Sequence, residues 1–155
     1  MDGIIYEQYT GSLEESTLIT LAAINQEIFG FGEKPEHLAA LFQSQNKLFL
    51  CFAKEENDVV GFKVGFQERP YYFDSWRGGV LASHRRRGIA QRLMQIQHEW
   101  CKEQGFRIVS TITGNTNTGM LITNLRGGFQ IVGTYFDRKK HVKVVQQKWL
   151  VEPPE

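Results

Sequence analysis

Residues 81–101 read LASHRRRGIAQRLMQIQHEWC, so three consecutive arginines and a glycine stand directly ahead of an amphipathic run. Ile89, Leu93, Ile96 and Trp100 recur at helical spacing, and Ala90, Met94 and Cys101 widen the stripe. This predicts a helix from about Ile89 to Glu103, ended by Gly105. Like charges side by side repel, so Arg85, Arg86 and Arg87 form either a solvated turn or a seat for an anion. The physics of the second reading is specific. A helix's first turn leaves N–H groups unpaired and favours negative charge. Gly88 lets the backbone approach a ligand closely, and guanidinium forks suit phosphate oxygens. Together they describe a pyrophosphate cradle. The chain has neither Gly-x-x-x-x-Gly-Lys-Ser/Thr nor Gly-x-Gly-x-x-Gly, so a nucleotide triphosphatase or a dinucleotide dehydrogenase is a poor fit.

The remaining segments build one α/β domain over residues 1–155, with 151–155 as a short tail. GIIYEQYT predicts a strand and SLEESTLITLAAINQEIF a helix; Pro35 suits the first turn of a second helix, PEHLAALFQSQ. NKLFLCFAKE and VVGFKVGFQE predict a hairpin, and DSWRGGVLAS a fourth strand, with Gly78 and Gly79 hinting at a bulge. After the long helix come FRIVSTIT as a strand, NTNTGMLITNLRGG as a short helix, then the strands FQIVGTYFD and VKVVQQKWLV. The sheet is expected to be mixed and largely antiparallel, with helices on both faces. Eighteen basic against seventeen acidic residues leave no general basic excess, which counts against a nucleic-acid binder. The N-terminus lacks a basic, apolar leader and no segment reaches bilayer length, so no membrane role and a cytoplasmic location are expected. Cys51 and Cys101 read as buried free thiols and no metal site is expected.

The run VLASHRRRGIAQRLM resembles motif A of the GNAT (Gcn5-related N-acetyltransferase) superfamily, Gln/Arg-x-x-Gly-x-Gly/Ala, with Arg85, Gly88 and Ala90 at its fixed positions. NTNTGMLITNLRGGF is similar to the family's second cofactor segment, closing on Gly128-Phe129. The order β-α-α-β-β-β-α-β-α-β-β also matches the family fold over nearly the whole chain. The resemblance implies an N-acetyltransferase that takes acetyl-CoA as co-substrate. Arg85 and the backbone around Arg86, Arg87, Gly88, Ile89 and Ala90 would hold the pyrophosphate. The strand edge at Val80, Leu81 and Ala82 would pair with the pantetheine arm, beside a bulge at Gly78-Gly79. An N–H of Val80 or Leu81 would polarise the thioester carbonyl. Family spacing gives the cofactor-facing asparagine as Asn117, with Asn115 as the alternative cofactor contact or helix cap.

Asn124 falls where many family members have a tyrosine that reprotonates the leaving thiolate, and an amide cannot donate a proton as an acid. A protonated amine cannot attack, so a base is required. Glu68 and Asp74 are preferred over Glu27 and Glu33, because they precede the strand that would carry the thioester; each also reads as a solvated or paired acid. His84 reads as a cofactor neighbour or surface residue, and His37, His98 and His141 as exposed. Tyr71, Tyr72, Phe73 and Trp76, with Phe29 and Phe31, suit either an aromatic pocket for a small amine or core and homodimer contacts. The acceptor class stays open between a small amine and a protein N-terminus or lysine. A non-catalytic acyl-CoA-binding or regulatory module is the competing reading, kept open by Asn124.

Overall fold

Seven strands form one sheet in the order β1-β2-β3-β4-β5-β7-β6 in the computed structural model, which describes residues 3–154. The elements are β1 (Ile4–Thr10), α1 (Glu15–Phe29), α2 (Pro35–Gln43), β2 (Phe49–Glu55), β3 (Asp58–Arg69), β4 (Tyr72–Val80), α3 (Ile89–Glu103), β5 (Ile108–Gly114), α4 (Thr118–Arg126), β6 (Gln130–Phe136) and β7 (Val142–Trp149). Their order is the expected one, with one short 3-10 turn added at Ala82–His84. All neighbouring strands pair antiparallel except β4 and β5, which run parallel.

Two apolar layers sandwich the sheet. On one face Leu18, Leu21 and Ile24 of α1 and Leu38 and Phe42 of α2 pack on Leu50, Phe52, Phe62, Val64 and Phe66. On the other, Ile89, Leu93, Met94 and Ile96 of α3 cover Phe49, Cys51, Phe73 and Val109. Burying each such side chain stabilises the fold by roughly 1.5–3 kcal/mol against exposure. The α3 stripe read from the sequence is therefore the core-facing one. Cys51 and Cys101 are free and buried, as expected.

Several local expectations are corrected. β4 begins at Tyr72, so Asp74 lies inside the strand rather than opening it. The bulge is not at Gly78-Gly79, which keep regular register with Lys63 and Phe62; the irregularity falls where Val64 pairs with Arg77 but Phe66 pairs with Asp74. Ser75 and Trp76 thus carry the extra residue of β4. This bulge lets both Trp76, against Phe42 and Phe66, and Arg77, against Asn25, face the α1-α2 side. Gly79 has a different reason: a Cβ there would come within 3.0 Å of Ile28 Cγ2 and 3.1 Å of Phe29 Cζ, so glycine permits α1 to sit close on β4.

Candidate acetyl-CoA cradle and acceptor face

Gly88 stands at the entrance to α3 with φ of 78°, a left-handed conformation suited to glycine, and Arg86 two residues earlier also has positive φ, 62°. Such alternation turns successive N–H groups toward one point and builds an anion-binding concavity. No side chain caps α3, and the N–H of Arg92 donates to Gly88 O at 3.0 Å. The N–H groups of Ile89, Ala90 and Gln91 therefore precede the helical ladder, as the N-terminus of any helix requires. Arg85, Arg86 and Arg87 are exposed around them. A Cβ built on Gly88 meets nothing within 4 Å, so the space before the helix is open. These features fit a pyrophosphate.

One neighbour was not legible from the motif. Glu55, at the end of β2, places Oε2 2.7 Å from Arg87 Nη2 and Oε1 3.0 Å from His84 Nε2. The hydrogen bonds and charges of Arg87 and His84 hold its carboxyl below the usual range. Ser83 Oγ completes the chain at 2.8 Å from His84 Nδ1. His84 is thus fastened to a carboxylate beside the turn.

The strand edge follows directly. β4 and β5 pair only over Tyr72–Asp74 and Ile108–Ser110, after which the ladder stops. The Thr111 hydroxyl still donates to Ser75 O at 3.1 Å, and beyond it the two strands part. Parallel strands that separate at their carboxyl ends leave one edge of β4 unpaired, aimed at the α3 turn. Leu81 does not supply the N–H expected of it, because that group donates to Val60 O at 2.8 Å. N–H groups alternate in direction along an antiparallel strand, so the N–H of Val80 points to the opened side. Ala82 is likewise no part of the edge: it lies in the 3-10 turn and its carbonyl accepts from Arg85 N–H.

Strand register also defines the floor on the α1-α2 side. Phe73 is buried in the α3 layer, so its neighbour Asp74 faces the opposite way. Asp74 is in register with Ser110, Ser110 with Gln147, and Ile112 with Val145, and paired residues share a face. Asp74, Ser110, Ile112, Val145 and Gln147 therefore line one surface next to the gap between β4 and β5. Burial, with the Glu68 carboxylate second, pushes the Asp74 carboxyl up to about 6. Glu68 itself is exposed near the end of β3. Lys63 lies on the α3 side opposite Gly78, and its Cδ would be 3.5 Å from a Cβ placed there, so its chain leans across β4 toward the gap. Burial lowers its amine to about 8. Ser75 Oγ and both amide atoms of Gln97 are also buried on this side with no protein partner among the described residues. Lys63, Ser110 and Val145 were missed because only register across strands brings them to the site.

Other expected site residues fall differently. Asn117 caps α4, its Oδ1 accepting from Met120 N–H at 3.3 Å, so the capping role weighed for Asn115 belongs to Asn117. Asn115 is exposed and its N–H donates to Val142 O. Asn124 is buried and its Nδ2 donates to Gln146 Oε1 at 2.9 Å. Glu33 is held by Arg77 at 2.6 and 3.2 Å, which lowers its pKa, whereas Glu27 lines a separate cleft. His98 is buried rather than exposed, and burial, then Lys148, Lys63 and Lys102, drives its pKa down to about 3. Among the described residues the expected aromatics are divided: Phe73 packs on Trp100 and Phe106, and Trp76 on Phe42 and Phe66, while Tyr71 and Phe31 are exposed.

A cleft of about 620 Å³ lies between α1 and the β2-β3 turn, beside Leu81 and His84. Its lining includes Glu27, Glu55, Glu56 and Asp58, an acidic set that repels phosphate, whereas the open edge of β4 leads toward the arginine turn. Among the described residues, no helix is long and apolar enough to cross a membrane, and no group of three or more His, Cys, Asp or Glu is placed to hold a metal ion.

A mixed sheet opened between two parallel strands, with an uncapped helix below the opening, is the architecture of an acyl-CoA-type transferase. Residues 17–121 match the Acetyltransferase (GNAT) family, and the chain belongs to that family. No curated protein matches it. Its fold is similar to the ribosomal-protein-S18-alanine N-acetyltransferase from Escherichia coli, at 13% identity over 96% of this chain and 97% of that one, with a TM-score of 0.76. It is similar to Ard1 from Thermoplasma volcanium, at 16% identity over 94% and 99% of the two chains, TM-score 0.77. A GNAT family acetyltransferase from Elizabethkingia anophelis with acetyl-CoA bound aligns at 17% identity over 96% and 99%, TM-score 0.66.

Proposed function

We propose that this chain is an acetyl-CoA-dependent N-acetyltransferase acting on a small amine. One observation carries the reading: the unpaired edge of β4 leads, through the short 3-10 turn at Ala82–His84, to an uncapped helix whose entrance, Arg86 to Gly88, is wound for an anion. Acetyl-CoA bound there supplies an activated acetyl thioester. The N–H groups of Ile89 and Ala90 and the arginine side chains hold its pyrophosphate, with Asn115 and Asn117 bordering the groove from the start of α4. The N–H groups of Gly78 and Val80 both face the opened edge of β4 and line the acyl arm; that of Gly78, the nearer to Asp74, donates to the thioester carbonyl oxygen and stabilises the charge that develops on it. Asp74, on the acceptor face, takes one proton of the incoming ammonium through an intervening water, so that the neutral nitrogen can form the C–N bond while the C–S bond breaks; the nitrogen's second proton passes to the departing sulfur, and coenzyme A leaves as the free thiol. With a pKa near 6, it is a carboxylate at neutral pH and still a competent base. Glu68 raises that basicity and is not itself the base.

Asn124 has no part in the chemistry on this reading, being spent on Gln146. The same observation favours the second reading, an acyl-CoA-binding module without turnover. Thiol release from acetyl-CoA in the presence of small amines, and of peptides with free N-termini and lysines, decides between them. Amine-dependent release with small amines supports the first; binding without release supports the second; release with peptides alone moves the acceptor to protein. The two buried thiols suit a reducing compartment, and we place the protein in the cytoplasm.

A further inference from the structure

We infer that the cleft between α3, the end of α4 and β7 is a second anion site, built for the phosphate group of a compact phosphomonoester and separate from the arginine turn. The cleft holds about 340 Å³, and Met94 and His98 of α3, Gly127 after α4 and Lys148 of β7 are among the residues that line it. Gln91, the lining residue nearest the start of α3, donates its amide to Thr123 O at 3.4 Å and ties α3 to α4 there. Lys102 lies eleven residues farther along α3, roughly 16 Å down the helix axis, so the cleft runs away from the cradle.

Among the described residues, the lining holds three cations, Lys102, Arg126 and Lys148, and one carboxylate, Glu99. None of the three cations enters an ion pair among the described residues. Lys102 and Arg126 stand in the last turns of α3 and α4, where the helix dipole favours a cation. Lys148 comes from a strand instead and lies against Gly128: a Cβ there would be 3.3 Å from Lys148 Cε and 3.6 Å from its Nζ. Burial first, and then the charge of Lys102, lower its pKa, so the ammonium is held where its own charge is disfavoured.

A second observation is independent of these charges. His98 is 5% exposed, its ring packs on Phe129 at 5.6 Å between centroids, and its Nε2 is buried with no hydrogen-bond partner among the described residues. A buried ring nitrogen left unpaired is costly, and His98 lines this same cleft. Burial and the neighbouring lysines keep the ring uncharged, so it has one N–H to give. An anion in the cleft takes that N–H from Nε2.

The charge and the size together select the ligand. Three positive charges against one negative leave two, and a phosphomonoester carries about −1.5 to −2 near neutral pH. The Arg126 guanidinium offers a fork for its oxygens, and the two lysines add point charges. A cleft of 340 Å³ is at the small end of ligand pockets, which suits a phosphate on a short body rather than a nucleotide.

Calorimetric titration of the full chain with glycerol 3-phosphate tests this, with glycerol as the control. The wild type and Gly88→Glu, whose added carboxylate closes the arginine turn to anions, should bind the phosphate alike, and glycerol should not bind. Arg126→Gln and Lys148→Met, neither of them a core position, should each weaken binding about ten-fold while keeping the wild-type circular dichroism. Histidine-selective NMR reads the buried ring directly, and the His98 signals should shift with the calorimetric midpoint. A wild type that does not bind, a Gly88→Glu protein that loses the ligand, or cleft variants that bind like the wild type would overturn the proposal. So would His98 signals that stay unmoved. The cleft and the arginine turn are read by different variants, so either can fail alone.

Discussion

The carboxamide of Asn124 donates to Oε1 of Gln146 at 2.9 Å, tying the last turn of α4 to the middle of β7 inside the protein. Gln146 in turn donates from Nε2 to Leu121 O at 3.3 Å, so the pair is a closed polar clasp in an apolar layer. A buried amide satisfied on both sides adds only modest net stability, but losing one partner exposes the full desolvation cost of the other. Asn124→Ala is therefore expected to destabilise the fold by about 2 kcal/mol in urea unfolding. Turnover per folded molecule should hardly change. A large fall in kcat with an unaltered unfolding midpoint would instead return Asn124 to the reaction.

Arg77 and Glu33 fix the loop between α1 and α2 to β4. The guanidinium reaches Asn25 Oδ1 at 3.2 Å as well and stacks on Trp76, 4.0 Å from the ring centroid. Because Glu33 is partly exposed, solvent screening limits the pair to at most about 1 kcal/mol. Its Glu33 pKa is lowered, chiefly by Arg77, so this contribution is present above the ordinary carboxylate pKa and is lost as pH falls through the folded value. Arg77→Met should loosen the loop and raise KM for the amine several-fold, leaving acetyl-CoA affinity intact. Steady-state kinetics beside calorimetry separates the two effects.

Asp74 and Lys63 give the protein opposite pH slopes. Asp74 has a folded pKa near 6, above the unfolded value, so between about 4 and 6 the folded state holds the extra proton and stability falls as pH rises. Lys63 has a folded pKa near 8, below the unfolded one, so stability rises with pH from about 8 to 10. Asp74→Asn should stabilise the fold by on the order of 1–2 kcal/mol at neutral pH. The same change should remove the rise of kcat/KM through pH 6 and lower kcat by about 10²-fold. A variant that is stabilised yet fully active would exclude Asp74 as the base.

Glu55 holds Arg87 and His84, so a phosphate seated as proposed would have to compete with it for them. Glu55→Gln removes a negative charge from the cradle's edge without removing its bulk. Acetyl-CoA should bind a few-fold more tightly to this variant, with the gain shrinking as salt is added. Equal affinity at low salt would mean that Arg87 does not face the cofactor's charge.

Much of this was readable in order along the chain, and the reasons are local. The α3 stripe from Ile89 to Trp100 and the stop at Gly105 fix a helix that the structure places at Ile89–Glu103. The start of α3 behind Gly88 was legible because a glycine and the first residues of the apolar stripe stand consecutively in the chain. What stayed hidden depends on pairing between distant segments. The bulge at Ser75-Trp76 is set by how β3 and β4 align, not by where glycines fall. Asn124 finds Gln146 from 22 residues away. His98 sits on the buried side of α3 beside the apolar stripe, where composition alone suggested solvent.

The central claim is that the turn before α3 seats the pyrophosphate of acetyl-CoA, and calorimetric titration of the wild type and Gly88→Glu tests it most directly. Gly88→Ala serves as the control: nothing lies within 4 Å of its added methyl, so it is charged only with backbone strain of about 1 kcal/mol. The wild type should bind acetyl-CoA in the micromolar range and ignore ATP and NAD, the alanine variant should bind somewhat less tightly, and the glutamate variant should not bind. Glutamate and wild-type proteins binding alike would contradict the claim and leave the three arginines as solvated surface.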